Sequence, residues 1–289
     1  MIDLHTHSAA SDGDLTPVQL VEFAVQRGLS AFALTDHDTI AGLLDAETAA
    51  KRRGIRFIPG VELEIQTESF DGDEVYTKIP PVKGEFHLLG LNITKILPEF
   101  TAELAYLKAA REKRNLLILE KMREAGIEAS YEEIAACAGG GIIGRPHFGA
   151  YLIKRRVVRS IKQAFDRYLG KGRPFYAPRA GVEFSRALEL IHRAGGRAVL
   201  AHPMSLYLSW GRLPDYIACL AVNGLDGIEA WHPTAIPNAC RRLESLGRDL
   251  GLGISAGSDF HGSARPERRL GISSGGRKIG DEFLAVIDS

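Results

Sequence analysis

The chain opens with MIDLHTHSAASDGD, and the polar residues in this stretch are spaced for chemistry. IDLH reads as a short apolar strand, and side chains two residues apart in a strand share a face. His5 and His7 therefore project together from the strand's end, with Asp12 in the loop that follows. Two imidazoles side by side suit a divalent cation, although such a pair is also met as plain hydrogen-bonded histidines. The same residue types recur along the chain. TDHD holds Asp36, His37 and Asp38; GVELE holds Glu62; FHLLG holds His87. LAHP adds His202, EAWHP adds His232, and GSDFH adds Asp259 and His261. Each has a structural reading of its own. Asp36 or Asp38 can cap a helix, His87 can be a satisfied core histidine, and Glu62 can be half of an ion pair. Imidazoles and carboxylates at the ends of so many separate strands point jointly to a polynuclear metal centre.

The elements that must position these groups follow a βα rhythm. TPVQLVEFAVQRG reads as a helix with Thr16 as N-cap, Pro17 in its first turn and Gly28 at its end. SAFALTD is a strand, GLLDAETAAKRRG a helix and IRFIPGVELEI a strand. Parallel strands with helices outside are expected, with the chemistry at the strands' C-terminal ends. The stretch 61–93 has two strand-like runs around a polar loop and suggests a long hairpin or two strands with an insertion, and segment 66–85 is longer than a tight hairpin needs. From Pro98 to Pro178 the strand signal disappears. A long amphipathic helix ends at Gly126, SYEEIAACA carries the capping pair Ser130 and Glu133, and two further helical pieces follow. The βα pattern then resumes through RAVLAHP, DGIEAWHP and LGISAGSDFHG. The expected organisation is a barrel over 1–97 and 179–289, with a helical subdomain over 98–178 inserted in it.

Bulk properties narrow the function classes. The 289 residues carry 36 Lys+Arg and 36 Asp+Glu, so the whole-chain charge selects neither nucleic acid nor membranes. No apolar run approaches the ~20 residues that span a bilayer, and no signal peptide is evident. Cys137, Cys219 and Cys240 are odd in number and lack CxxC spacing, as expected of thiols in a reducing cytoplasm. No obligate protein partner is evident.

Together, DLHTHSAASDG, ALTDHDT, GVELE, FHLLG, LAHP and GSDFH closely resemble the PHP (polymerase and histidinol phosphatase) family of metal-dependent phosphoesterases. The resemblance implies a distorted (β/α)7 barrel with two or three divalent ions, Mn2+ before Zn2+ or Fe2+. Carried over by position, one ion takes His5, His7, Glu62 and Asp259. A second shares Glu62 and adds His87 and His202, and a third takes Asp12, His37 and His261. The implied reaction is phosphoester hydrolysis by a metal-bridging hydroxide. Asp36 and Asp38 match the motif as orienting groups. His232 is a candidate for phosphate contact or for proton donation to the leaving oxygen. Nitrogen and oxygen donors suit these metals independently. Three divalent ions outweigh the carboxylates of Asp12, Glu62 and Asp259, so the site should attract a phosphate dianion.

The insertion addresses the substrate. Residues 143–180 hold ten Lys or Arg against one acid, Asp166. Such runs are usually solvated faces. Yet Arg145 and His147 sit at an expected helix start next to GGGIIG, a natural anion site. A barrel with an inserted Arg-x-His resembles the PHP subgroup of 3′,5′-nucleoside bisphosphate phosphatases, some of which trim short RNA from the 5′ end. The resemblance implies that Arg145 and His147 bind the substrate phosphate, with Arg145 serving catalysis and Lys171 and Arg173 bordering the cleft. The expected substrate is a small phosphorylated nucleotide, such as 3′-phosphoadenosine 5′-phosphate, or a short oligonucleotide. A histidinol phosphatase is the alternative enzyme, and a non-catalytic PHP module regulating a polymerase the alternative of another class.

Overall fold

Short apolar runs bounded by glycine and proline turns become seven strands of one sheet, in the order β1 to β7, in the computed structural model. The structure describes residues 1–66, 79–137, 142–178 and 180–288. The strands are β1 (Ile2–Asp3), β2 (Ala31–Leu34), β3 (Arg56–Glu64), β4 (His87–Leu91), β5 (Arg197–Leu200), β6 (Gly227–Trp231) and β7 (Gly253–Ala256). Helices α1 (Pro17–Gln26) and α2 (Leu43–Arg53) follow β1 and β2. Then come α3 (Pro98–Glu124), α4 (Tyr131–Cys137), α5 (Arg145–Lys154) and α6 (Ile161–Ala164), which runs into a π-helical turn at Phe165–Leu169. Helices α7 (Phe184–Arg193), α8 (Leu213–Val222), α9 (Pro237–Asp249) and α10 (Ala285–Asp288) complete the chain. The expected α1 cap is present as a full box: Gln19 N–H donates to Thr16 Oγ1 and the Gln19 side chain accepts from Thr16 N–H.

The sheet departs from an all-parallel barrel at one strand. β1, β2 and β3 pair in parallel, as do β5, β6 and β7, but β4 is antiparallel to both of its neighbours. Of the two forms expected for 61–93, the structure takes the hairpin, an antiparallel β3–β4 pair, and His87 begins β4 instead of ending it. Reversing the strand puts its first residue on the rim where the parallel strands end, and His87 pairs with Glu64 at the end of β3. The loop between β3 and β4 over 67–78 lies outside the described residues.

Backbone hydrogen bonds tie the first strand to the last and bring the sheet nearly to closure. Leu4 N–H donates to Ala256 O at 3.3 Å, Asp259 N–H to His5 O at 2.9 Å, and His7 N–H to Phe260 O at 2.9 Å. The Asp3 carboxylate reinforces the join by accepting from Ser258 N–H, Ser258 Oγ–H and Gly271 N–H. The metal-competent loops after β1 and β7 are thus held side by side.

The long helix α3, about 40 Å at 1.5 Å per residue, joins two cores. Phe100, Leu104 and Leu107 pack into the barrel core, while Ile118, Leu119 and Met122 pack in a second core with Phe148, Tyr151 and Leu152 of α5 and with Phe175. The expected Ser130–Glu133 capping pair starts α4.

Close packing at the barrel seam gives one test. A Cβ on Gly257, just past β7, would lie 2.2 Å from His5 Cβ and 2.6 Å from Glu229 Oε1. His5 Cβ is fixed to the backbone, and Glu229 Oε1 is held by His5 Nδ1 at 3.0 Å. Gly257→Ala is expected to destabilise the fold by about 1–3 kcal/mol and to lower Tm by about 5 °C, read by calorimetry. A wild-type Tm would show that the seam yields.

Candidate metal centre

One buried carboxylate organises the rim. Val61 and Leu63 of β3 turn into the apolar core, so alternation turns Glu62 into the barrel mouth. Its Oε1 lies 2.8 Å from both His87 Nδ1 and His202 Nε2. Its Oε2 lies 3.3 Å from His5 Nε2, 3.3 Å from His7 Nε2 and 3.1 Å from His37 Nδ1. Burial alone would raise its pKa, but the imidazoles of His37, His5 and His87 around it hold it well below the usual carboxylate range.

Asp259 meets the same imidazoles from β7. Its Oδ1 lies 3.5 Å from His5 Nε2 and 3.1 Å from His7 Nε2. Four donor atoms, from His5, His7, Glu62 and Asp259, thus stand 3.1–3.5 Å apart in the pairs measured. Donors about 2.1 Å from a tetrahedral ion lie about 3.4 Å from one another. Among the described residues, His5 Nε2, both ring nitrogens of His7, Glu62 Oε2, Asp259 Oδ1 and His261 Nε2 are buried with no hydrogen-bond partner. Buried polar atoms are nearly always satisfied. Lone-pair atoms facing one another at these separations fit a shared cation. A second group, His7, Asp12, His37 and His261, has ligand atoms all within 4.8 Å of one another. His7 belongs to both groups, because its Nδ1 lies 3.7 Å from Asp12.

Surrounding residues aim these ligands, and motif reading missed several of them. Glu229 of β6 is fully buried, accepts from His202 N–H at 2.7 Å and meets His5 Nδ1 at 3.0 Å. A proton on His5 Nδ1 then leaves Nε2 bare toward Glu62 and Asp259. Burial opposes ionisation of Glu229, yet the nearby His5 and His232 hold its pKa down to about 2. Its one signal in the sequence was a charged residue inside the apolar strand GIEAW. Asp36 accepts from Ser8 N–H, Ser8 Oγ–H and Ser11 Oγ–H, so it shapes the loop that carries Asp12. Asp38 pairs with Arg111 of α3 and accepts from Glu64 N–H. His232 accepts from Thr234 N–H at Nδ1, so Nε2 carries the proton toward Asp259 Oδ2 at 3.2 Å. Arg268, also unforeseen, contacts the same oxygen, and Arg265 Nη1 lies 3.5 Å from it.

The centre opens into a cavity of about 280 Å³ lined by His37, Glu62, His87, His202, His232 and Asp259, with Arg265 and Arg268 in its wall. A second cavity, about 360 Å³, shares Glu85 and Tyr207 with the first. It is lined by Lys83, Arg145, Phe165, Lys171 and Tyr176. The Arg145 guanidinium carbon lies 5.7 Å from the Phe165 ring centroid and 5.8 Å from that of Tyr176. Arg145 therefore lies in the adjoining cavity and is not among the lining residues of the metal cavity. His147 accepts from Gly144 N–H at Nδ1, which leaves the proton on Nε2. Burial lowers its pKa while the nearby Asp12 charge acts the other way. Arg173 is exposed and lines neither cavity. The glycine run 139–141 before α5 lies outside the described residues.

A carboxylate ringed by imidazoles at the mouth of a seven-stranded α/β barrel defines the class as a metal-dependent hydrolase. The PHP domain family matches residues 3–171. A 5'-3' exoribonuclease of Haemophilus influenzae is 38% identical, covering 90% of this chain and 89% of its own length. A 3',5'-nucleoside bisphosphate phosphatase of Chromobacterium violaceum is 32% identical, covering 93% and 90%. A solved structure from Bifidobacterium adolescentis, assigned as a metal-dependent phosphoesterase, superposes with a TM-score of 0.79 at 26% identity over 99% of this chain and 94% of that one. The chain belongs to the PHP domain family and is a metal-dependent phosphoesterase. Among the described residues no helix is long and apolar enough to cross a membrane.

Glu229→Gln tests the aiming of His5. The amide keeps the shape but weakens the acceptor that holds the His5 tautomer. Metal affinity should fall about 10- to 100-fold, read by competition with a chromogenic chelator while far-UV circular dichroism stays unchanged. Wild-type affinity would mean that His5 needs no such partner.

Proposed function

We propose that this phosphoesterase removes a terminal phosphate from small nucleotides bearing two phosphates, 3′,5′-bisphosphonucleosides such as 3′-phosphoadenosine 5′-phosphate, and accepts the 5′ ends of short RNA. The observation that carries this reading is the pair of adjoining cavities, one lined by the metal ligands and one by Arg145, Lys171 and two aromatic rings. A substrate with one phosphate to react and a second to hold fits two such chambers. The names of the exoribonuclease and bisphosphate phosphatase relatives support it.

In this reading His5, His7, Glu62 and Asp259 hold one ion, Glu62, His87 and His202 a second, and Asp12, His37 and His261 a third, with Mn2+ ahead of Zn2+ or Fe2+. Bound there, the ions supply Lewis acidity for an attacking water and for the phosphate oxygens. The chain's own residues do the rest. Glu62 spans the two ligand groups with its two oxygens. His232 has both ring nitrogens engaged, so it steadies Asp259 instead of donating a proton to the leaving oxygen. Arg145 grips the non-reacting phosphate. His147 offers Nε2–H as a single donor, and Lys171 adds charge at the cavity edge. Residues 98–178 act as the substrate-binding insertion between barrel segments 1–97 and 179–289. The three free thiols suit a reducing cytoplasm.

Phosphate release by Mn-loaded protein decides the substrate. The panel is a 3′,5′-bisphosphonucleoside, 5′-phosphorylated RNA dinucleotides and trinucleotides, histidinol phosphate and p-nitrophenyl phosphate. The nucleotides should give the highest kcat/KM; a higher value on histidinol phosphate overturns the reading. A guanidinium grips a phosphate through two parallel bonds, so Arg145→Ala should lower kcat/KM on the bisphosphonucleoside by about 2–3 kcal/mol. The loss on p-nitrophenyl phosphate, which has no second phosphate, should be smaller.

A further inference from the structure

The wall of the metal cavity holds a guanidinium that neither the motifs nor the insertion explain. Arg268 sits in the loop after β7, with its side chain only 11% exposed. Its Nη1 contacts Asp259 Oδ2 and donates to Asp259 O at 3.3 Å. His232 Nε2 approaches the same carboxylate oxygen at 3.2 Å. Asp259 is therefore divided. Oδ2 is taken by these two donors and by Arg265 Nη1 at 3.5 Å, and Oδ1, buried and without a hydrogen bond, is left to the metal ligands. The Asp259 backbone is held at φ 52, a left-handed conformation that disfavours aspartate and persists only where its surroundings impose it.

Arg268 has more donors than Asp259 consumes. A guanidinium carries five N–H groups in a rigid plane. No acceptor for Nη2 is found among the described residues, and the nearest oxygen recorded for Nε is that of Glu267 at 3.9 Å. The residue lines the cavity beside His232 and Thr234. Arg145 does not line this cavity; its guanidiniums are those of Arg265 and Arg268, and Arg268 is the more buried, with 11% of its side chain exposed against 34%.

We infer that Arg268 is the guanidinium of the reacting phosphate, holding Asp259 with Nη1 and a phosphoryl oxygen with its second nitrogen, while Arg145 serves the other phosphate. This rests on the phosphoesterase site proposed above, but not on the choice of nucleotide. Charge that develops on the phosphoryl oxygens during transfer would be met by a donor already fixed in place. Lysine cannot make both contacts, since its single ammonium is a point charge without the planar fork.

The test compares Arg268→Ala and Arg268→Lys with Arg269→Ala, an exposed neighbour serving as control. Arg268→Ala should lower kcat/KM on p-nitrophenyl phosphate by about 30-fold or more. Inhibition by inorganic phosphate should weaken at least about tenfold, as should stabilisation of the Mn-loaded protein by phosphate in a thermal shift. Metal content by elemental analysis should match wild type. Arg268→Lys should fold and load metal yet recover less than about a tenth of the lost turnover. Arg269→Ala should behave as wild type. Unchanged phosphate inhibition and unchanged p-nitrophenyl phosphate turnover in Arg268→Ala overturn the inference. So does a loss that comes with depleted metal and disappears on adding excess Mn2+, because Arg268 would then only hold Asp259. A preference for histidinol phosphate over nucleotides would sink the substrate reading and leave these phosphate readouts to decide Arg268.

Discussion

Five imidazoles around the buried Glu62 carboxylate are the constraint on which the site's architecture rests. An isolated buried carboxylate is costly, and a cluster of neutral histidines facing one another leaves lone pairs unsatisfied. Each group makes the other tolerable, and cations complete the arrangement. The barrel must therefore hold side chains from several strands within a few tenths of an ångström. It does so by making their backbones part of the sheet and by surrounding the ligands with Glu229, Asp36 and Thr234, which aim them. The stability that the rim forgoes comes from the apolar layers beneath it, where Leu88, Val199 and Ile228 are buried.

Backbone strain collects where the ligands are aimed. Asp38, His202, Tyr207 and Asp259 all have positive φ without being glycine. Such residues cost about 1–3 kcal/mol each. Their local hydrogen bonds show what holds them there. Asp38 N–H bonds Glu62 O and Asp259 N–H bonds His5 O, so these two are clamped to ligand-bearing segments, while His202 N–H is held by the Glu229 carboxylate. The reversal of β4 serves the same end. It lets a strand contribute its first residue, His87, to a rim otherwise built from strand ends.

Helix α3 carries this geometry to a second, helical core. Its N-terminal half is part of the barrel core, its C-terminal half part of the helical core, and Arg111 between them pairs with Asp38 next to His37. The helices of that core are thereby placed beside the rim, and α5 turns Arg145 into a cavity that adjoins the metal cavity at Glu85 and Tyr207. Two chambers with different linings follow from one rigid joint: one rich in imidazole and carboxylate, the other in cations and aromatic rings.

Much of this was legible in the sequence because it is local. The His5–His7 spacing, the Thr16 cap, the run of βα units and the metal-competent residues at strand ends depend on periodicities of two and 3.6 residues, which a linear chain displays directly. The motifs carried the family resemblance for the same reason. Tertiary structure decided what depends on pairing at a distance. FHLLG alone reads alike both ways, and only pairing with β3 and β5 chose the hairpin over two strands with an insertion. Glu229 and Arg268 belong to no spaced motif, and they gain a role only because folding sets one against His5, 224 residues away, and the other against Asp259. Arg145 kept its helix start but entered the neighbouring chamber, because a side chain's position in the chain says what it can bind and not which wall of the cleft it will join.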